Sequence, residues 1–234
     1  LTNDPSAAYS GNRAIRIRST AGSTSGSLTG DLPPLDTIHL RYFVKFSSNF
    51  GYAHHFTALG GRAAGLATWV PFGSAGTQPT GSNYMMTSLE PTGDPFGSGS
   101  PDPSKYPAPG PWSFYSYFAN MTCCPGCGCW GNRDQVLNNI PPRGQWTCVE
   151  LQVKSNTGSM ANGSQAYWLD RKPGDPPTQQ WNGIQWRTDP NLKWNALLMQ
   201  LYVSDTSKSF LPGQTEQSVW FDNIVVSSTD IGCD

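Results

Sequence analysis

At 234 residues, with 13% charged residues, 25 glycines and 20 prolines, the chain leaves little room for long amphipathic helices, because both of these residue types break helices and supply turns. A formal charge of −1 provides no global basic field to gather nucleic acid, an anionic membrane or a polyanion from a distance, and no window approaches the ~18 apolar residues of a membrane span. The length suits one β-sandwich domain over residues 1–234, and 9 Trp, 9 Tyr and 10 Phe suffice for a core with rings left over for a sugar-stacking surface.

Alternation of apolar and polar residues, the mark of a half-buried strand, first occurs in Ala14-Ile15-Arg16-Ile17-Arg18. In TIHLRYFVKF, Ile38, Leu40, Tyr42, Val44 and Phe46 share one face, and His39, Arg41, Phe43 and Lys45 share the other, which is partly cationic. Between Gly60 and Gly110 the composition reads as loops framing two short strands, Ala67 to Val70 and Tyr84 to Leu89. PWSFYSYFANM puts Trp112, Phe114, Ser116 and Phe118 on one side and Tyr115 and Tyr117 on the other. GQWTCVELQVKSN turns Val149, Leu151 and Val153 one way and Cys148, Glu150, Gln152 and Lys154 the other. SQAYWLDRK adds a strand, NALLMQLYVSD sends Leu197, Met199, Leu201 and Val203 inward and Gln200 and Tyr202 outward, and VWFDNIVVSS closes the set. Strands at this spacing, without an internal repeat, predict an all-β jelly-roll β-sandwich.

The six cysteines stand at positions 123, 124, 127, 129, 148 and 233. The run CCPGCGC is compatible with oxidised staples or with a thiolate metal site. Disulfides are favoured, because nothing else in the chain is cytosolic in character, and Cys148 and Cys233 are candidates to pair with each other. Asn120-Met-Thr122 and Asn162-Gly-Ser164 match the glycosylation pattern. With no apolar leader in the first residues, the chain is expected as a mature secreted protein.

HHFTALGGR, YMMTSLEPTGD, PWSFYSYFANM, Cys129-Trp130-Gly131-Asn132, RGQWTCVELQVKSNTG, NGSQAYWLD and VWFDNIVVSS with Ile231-Gly232-Cys233 follow one another in an order that resembles a family of secreted jelly-roll proteins. That family is similar to the alginate and glucuronan lyases and to proteins that filamentous fungi secrete together with cellulases. The resemblance spans about Tyr42 to Cys233 and implies a concave groove on one sheet. In such lyases a base removes the proton alpha to a uronate carboxylate, an amide or cation masks that carboxylate, and a Tyr or His protonates the leaving oxygen. The masking is needed because the proton is too weakly acidic while the carboxylate charge stands.

Candidates for these roles are His54, His55, Arg62, Tyr117 and Tyr202, with Gln200, Tyr115, Gln152, Glu150, Arg41 and Lys45 as substrate-binding residues. Histidine titrates near neutrality, so the pair at positions 54 and 55 suits base and neutraliser, although successive strand residues face opposite ways unless the chain bends. Arg62 follows Gly60 and Gly61 in what reads as a turn, where its guanidinium could approach a carboxylate. Tyr115, Tyr117 and Tyr202 fall on groove faces, and Gln152 and Gln200 are neutral donors there. Glu150, mid-strand, needs a partner such as Arg41 or Lys45, or else serves as a hydrolase acid. The resemblance further implies calcium at Asp222, helped by Asn3 and Asp4 if the N-terminus folds back.

No phosphate loop, H-E-x-x-H or G-x-S-x-G occurs, which removes nucleotide chemistry, zinc proteolysis and serine hydrolysis. The expectation is a monomeric polysaccharide lyase without nucleic-acid or membrane partners. The alternatives are a non-catalytic carbohydrate-binding module, or a glycoside hydrolase, which requires a second carboxylate beside Glu150.

Overall fold

Strand parity along Thr37–Phe46 (β3) sets the layering: Ile38, Leu40, Tyr42, Val44 and Phe46 are all at most 1% exposed, so this strand must be covered on that face by a second sheet. The computed structural model describes residues 7–20, 25–93, 101–134, 138–172 and 174–234. The strands before and after β3 are β1 (Ile15–Thr20), β2 (Ser25–Leu35), β4 (Thr57–Arg62), β5 (Tyr84–Pro91), β6 (Trp112–Tyr117), β7 (Trp146–Lys154), β8 (Gly163–Leu169), β9 (Gln179–Ile184), β10 (Trp194–Tyr202) and β11 (Glu216–Ser227). A six-stranded sheet runs β1-β11-β3-β7-β8-β9 and a five-stranded sheet runs β2-β10-β4-β5-β6. Every pairing between these strands is antiparallel. The fold is an all-β jelly-roll sandwich.

Between the sheets, Tyr42, Val44, Leu151 and Phe221 of the larger sheet meet Met85, Leu89, Trp112, Phe114, Met199 and Leu201 of the smaller. Burial of each large side chain contributes about 1.5–3 kcal/mol. Among the polar ties that cross this apolar layer are two: Tyr42 Oη lies 2.7 Å from Thr57 Oγ1, and Gln165 Oε1 accepts from Thr87 Oγ1 at 2.6 Å. Both satisfy groups that would otherwise be buried without partners.

Three strands escape the alternation rule, each for a local reason. In β2, Pro33 and Pro34 fall where the register against β10 shifts between Asp31 and Leu35, and β2 is an edge strand, where a missing N–H is tolerated. Edge strand β9 is QQWNGI, too polar to alternate. In β4, Gly60 and Gly61 belong to a strand and not to a turn. A Cβ on Gly60 would lie 2.8 Å from Pro71 Cβ, and one on Gly61 2.6 Å from the Lys193 carbonyl, so close packing requires both glycines. Conversely, Ala67 to Val70, expected as a strand, forms turns leading into a 3-10 helical turn at Val70–Phe72. Pro71 within that segment is incompatible with a paired strand interior.

All six cysteines are oxidised, as Cys123–Cys129, Cys124–Cys127 and Cys148–Cys233. The last spans 85 residues and fastens the C-terminal tail to β7; a closure of this length contributes about 4–5 kcal/mol in the chain-entropy picture.

The tail is also held by Glu150, fully buried on the outer face of the six-stranded sheet. Its Oε1 accepts from His39 Nδ1 at 2.8 Å and Ile231 N at 3.2 Å, and its Oε2 from Arg171 Nη2 and Gly232 N, each at 2.8 Å. Gln152 Nε2 donates to His39 Nε2 at 3.0 Å, which places the imidazole proton on Nδ1, facing the carboxylate. Arg171 also contacts Asp230. His39, Glu150 and Asp230 together have the makings of a metal ligand set, but the Arg171 guanidinium already supplies the positive charge between the carboxylates. The partners of Glu150 are therefore His39 and Arg171, not Arg41 or Lys45. Arg41 lies 5.4 Å over the Phe43 ring, and Lys45 lies 4.9 and 5.4 Å from the Trp146 and Trp220 rings.

At the other terminus, Asp222 Oδ2 accepts from Tyr9 N at 2.8 Å and Ser10 N at 3.1 Å, and its Oδ1 from Asn223 N at 2.8 Å. These donors occupy most of the carboxylate's roughly four lone-pair sites, whereas calcium needs six to eight oxygens. Among the described residues Asp222 is a hydrogen-bonded staple between β11 and the N-terminal segment. Asn3 and Asp4, the expected helpers, lie outside the described residues.

Two stability outcomes are expected. Burial alone would raise the pKa of Glu150, but hydrogen bonds from His39, the Gly232 N–H and Arg171 outweigh it and bring the value to about 2. A depressed folded-state pKa contributes stability above the unfolded value of about 4.3, and this contribution is lost as pH falls toward about 2. Glu150→Gln should cost about 3–5 kcal/mol at pH 7 in denaturant titrations and should flatten the loss of stability between about pH 5 and 2. An unchanged pH dependence would refute this role. Asp222→Ala should cost about 1–3 kcal/mol in the same titrations.

Candidate active site

The outer face of the five-stranded sheet carries an open cleft with about 400 Å³ of empty space. Parity delivers its floor: Met86, Ser88 and Glu90 from β5, Tyr115 and Tyr117 from β6, Leu198 and Gln200 from β10, and Ala58 from β4, with His55 at one end. Pro71, Phe72 and Ala75 of the loop after β4 form a wall.

His54 and His55 approach the same place because the chain bulges there. Both of their backbone N–H groups donate to one carbonyl, that of Tyr202, at 2.7 and 3.3 Å, while Tyr202 N donates back to His55 O at 3.1 Å. Two residues opposite one is the pattern of a β-bulge, and it cancels the parity that would send the rings apart. The imidazole centroids lie 4.3 Å apart, and the Tyr202 ring stacks on His55 at 5.7 Å and 13° while meeting His54 edge-on at 5.5 Å. His54, the more exposed, has Nδ1 3.1 Å from Ser204 Oγ.

Glu90 is fully buried beneath this cluster. His55 Nδ1 donates to its Oε1 at 2.8 Å, and Arg133 Nη2 to its Oε2 at 3.2 Å. Burial would raise the Glu90 pKa, but the charge and hydrogen bond of His55, then the charges of Arg133 and His54, outweigh it and leave the carboxyl below its ordinary value. Glu90 is therefore an anion at neutral pH and can only accept from His55. That fixes the proton on Nδ1 and leaves the Nε2 lone pair as the basic site.

The phenols are placed around this imidazole. Tyr115 is 5.1 Å from His55, ring to ring, and the Arg133 guanidinium lies 4.7 Å from its centroid. Gly131 packs on the same ring so closely that a Cβ there would come within 2.5 Å. Tyr117 Oη lies 3.0 Å from Tyr115 Oη. Burial, reinforced by Tyr115, holds the Tyr117 pKa well above the ordinary phenol value, so this hydroxyl stays protonated. Tyr202 makes no side-chain hydrogen bond among the described residues, and Gln200, only 8% exposed, presents its amide to the cleft.

Of the expected site residues, His55, Tyr115, Tyr117 and Gln200 line this cleft, and His54 and Tyr202 adjoin its histidine end. Arg62 stands apart. Its Nε donates to Leu66 O (2.8 Å), its Nη1 to Asn195 Oδ1 (3.2 Å) and its Nη2 to Asp31 Oδ1 (2.8 Å) and Thr68 Oγ1 (3.3 Å). All three nitrogens are engaged in fastening the following loop to the sheet. Arg41, Lys45, Glu150 and Gln152 belong to β3 and β7 of the other sheet, on the far side of the sandwich. Parity put them on an outer face correctly but does not say which sheet bears the cleft.

Glu90 and Arg133 were not foreseen. The strand starting at Tyr84 was expected to stop at Leu89, one residue short of the carboxylate; the period-two series Tyr84, Met86, Ser88, Glu90 is the signal that identifies it. Arg133 follows the cysteine loop in a stretch without alternation.

No protein-family model matches the chain, and no curated protein sequence is significantly similar to it. Solved structures are similar in fold. The marine alginate lyase from Aplysia kurodai aligns with a TM-score of 0.66 at 16% identity, over 94% of this chain and 84% of that one. The endo-β-1,4-glucuronan lyase from the fungus Trichoderma reesei aligns at 0.59 with 15% identity, over 96% and 85%. A cellulose-induced protein aligns at 0.51 with 12% identity, over 99% and 86%. At these identities the likeness establishes the fold: the chain shares its jelly-roll sandwich with alginate and glucuronan lyases and with that cellulose-induced protein.

Proposed function

We propose that the protein is a polysaccharide lyase that cleaves a uronate-containing polymer by β-elimination, with His55 as base and Tyr202 as proton donor. The observation that carries this reading is the His55–Glu90 pair: a buried carboxylate at 2.8 Å fixes one imidazole tautomer and leaves its basic nitrogen for the cleft. In the proposed step Gln200 and His54 mask the uronate carboxylate. His55 Nε2 takes the alpha proton, its electron pair becomes the new carbon–carbon double bond, and the glycosidic C–O bond breaks. The Tyr202 hydroxyl protonates the departing oxygen. Glu90 stabilises the imidazolium formed on His55, as an acid residue behind a catalytic histidine does.

Glycoside hydrolysis normally uses two carboxyl groups, one protonated at working pH. Among the residues lining the cleft Glu90 is the one carboxylate; its pKa is lowered, not raised, and both its oxygens are engaged. Glu150 lies on the other sheet. The hydrolase alternative therefore has little support, and a non-catalytic carbohydrate-binding role is the competing reading. Three disulfides with no free cysteine suit an oxidising extracellular compartment. No helix among the described residues is long and apolar enough to cross a membrane.

Incubation with alginate or glucuronan should generate an unsaturated uronide, read as rising ultraviolet absorbance. Tyr202→Phe and Glu90→Gln should each lower kcat by about 10²- to 10⁴-fold with KM changed by less than about threefold. Binding of these polymers without any absorbance would favour the carbohydrate-binding role. Full turnover in Tyr202→Phe would transfer proton donation to Tyr117 or a histidine.

A further inference from the structure

Two exposed indoles flank the cleft and take no part in the chemistry above: Trp130 is 54% exposed and Trp69 46%. Trp69 immediately precedes the wall segment Val70–Phe72, and Trp130 lies in the cysteine loop packed beside that wall. The Trp69 ring sits edge-on to Phe72, centroids 6.1 Å apart, and Phe72 lines the cleft. On either side of Trp130, Cys129 exchanges two backbone hydrogen bonds with Gly76, at 3.0 and 3.1 Å, next to cleft residue Ala75, and Gly131 packs on the cleft ring Tyr115. Trp130 thus stands at the rim, between two segments that contact the cleft floor and wall.

The indole is held in place. Its Nε1 donates to the Cys127 carbonyl at 2.8 Å, and the loop that carries it is closed by Cys123–Cys129 and Cys124–Cys127. With its one polar group satisfied inside the loop, the ring presents to solvent only an apolar, π-electron-rich surface. Such a surface on a pre-ordered support loses little conformational entropy on binding. Its complement is the C–H face of a pyranose ring and not a carboxylate, which the negative ring face disfavours.

We propose that Trp130, with Trp69 further along the same wall, forms an outer sugar subsite that binds a pyranose unit of the polysaccharide beyond the cleft and recognises ring shape irrespective of charge. The proposal rests on the cleft being the polysaccharide site. With a formal charge of −1 and no global basic field, affinity for the distal part of the polysaccharide comes from stacking.

Calorimetric titration with alginate oligosaccharides of increasing length, in a Tyr202→Phe background so that the ligand survives, tests it. Trp130→Ala should weaken binding of the longer oligomers about five- to tenfold and leave disaccharide binding within about twofold, while Trp130→Tyr, which keeps a flat ring, should recover most of the loss. Carboxyl-reduced oligomers should show the same length-dependent loss. Equal Kd for Trp130→Ala and its parent at every length would overturn the subsite. If only neutral oligomers bind and still depend on Trp130, the subsite stands and the uronate assignment falls. If neither series binds, both fall.

Discussion

One backbone carbonyl organises the candidate site. Tyr202 O accepts from the N–H groups of both His54 and His55, and this bulge does what no regular strand can: it brings two successive side chains to one side of a sheet. From it follow the stacking of Tyr202 on His55, the contact between the imidazoles, and the aim of His55 at Glu90. The site is built on β5, β6 and β10, whose inner faces are locked into the apolar core, so the side chains of the cleft inherit the rigidity of the sandwich.

The fold contains the same trio of side chains twice. Glu150 is paired with His39 and Arg171, and Glu90 with His55 and Arg133. Both carboxylates are buried, and both are kept ionised by their partners. The difference is access. The His39 side chain is 4% exposed and its second nitrogen is occupied by Gln152, under a tail pinned by Cys148–Cys233. The His55 side chain is 29% exposed and its second nitrogen opens to the cleft. The same trio thus clamps the tail where solvent is excluded and borders an open cleft at the other site.

Much of the sandwich was legible because strands with one buried face must alternate: β3, β6, β7 and β10 have inner and outer residues where their sequences place them. β2, β4 and β9 were not legible, since proline at an edge, glycine under a packed loop and polar residues at an edge all suppress the pattern. The site was legible where parity alone decides, as for Tyr115, Tyr117 and Gln200. It was not where two distant elements must meet. Nothing local pairs Glu90 with His55, or distinguishes the outer face of β7, with Gln152 and Glu150, from the face that carries the cleft. Arg62 misled because its two glycines signal close packing in β4 and not a turn.

The central claim is that Glu90 holds His55 as the Nδ1–H tautomer with Nε2 presented to substrate. Nitrogen-15 NMR of the histidine side chains tests this most directly, since the chain has three histidines and sealed His39 is an internal control. The account expects both His39 and His55 to be protonated on Nδ1 near neutral pH, with only the His55 Nε2 resonance moving when an alginate oligosaccharide is added to the Tyr202→Phe protein. A His55 protonated on Nε2, or one whose resonances ignore the ligand while binding is saturated, would contradict it.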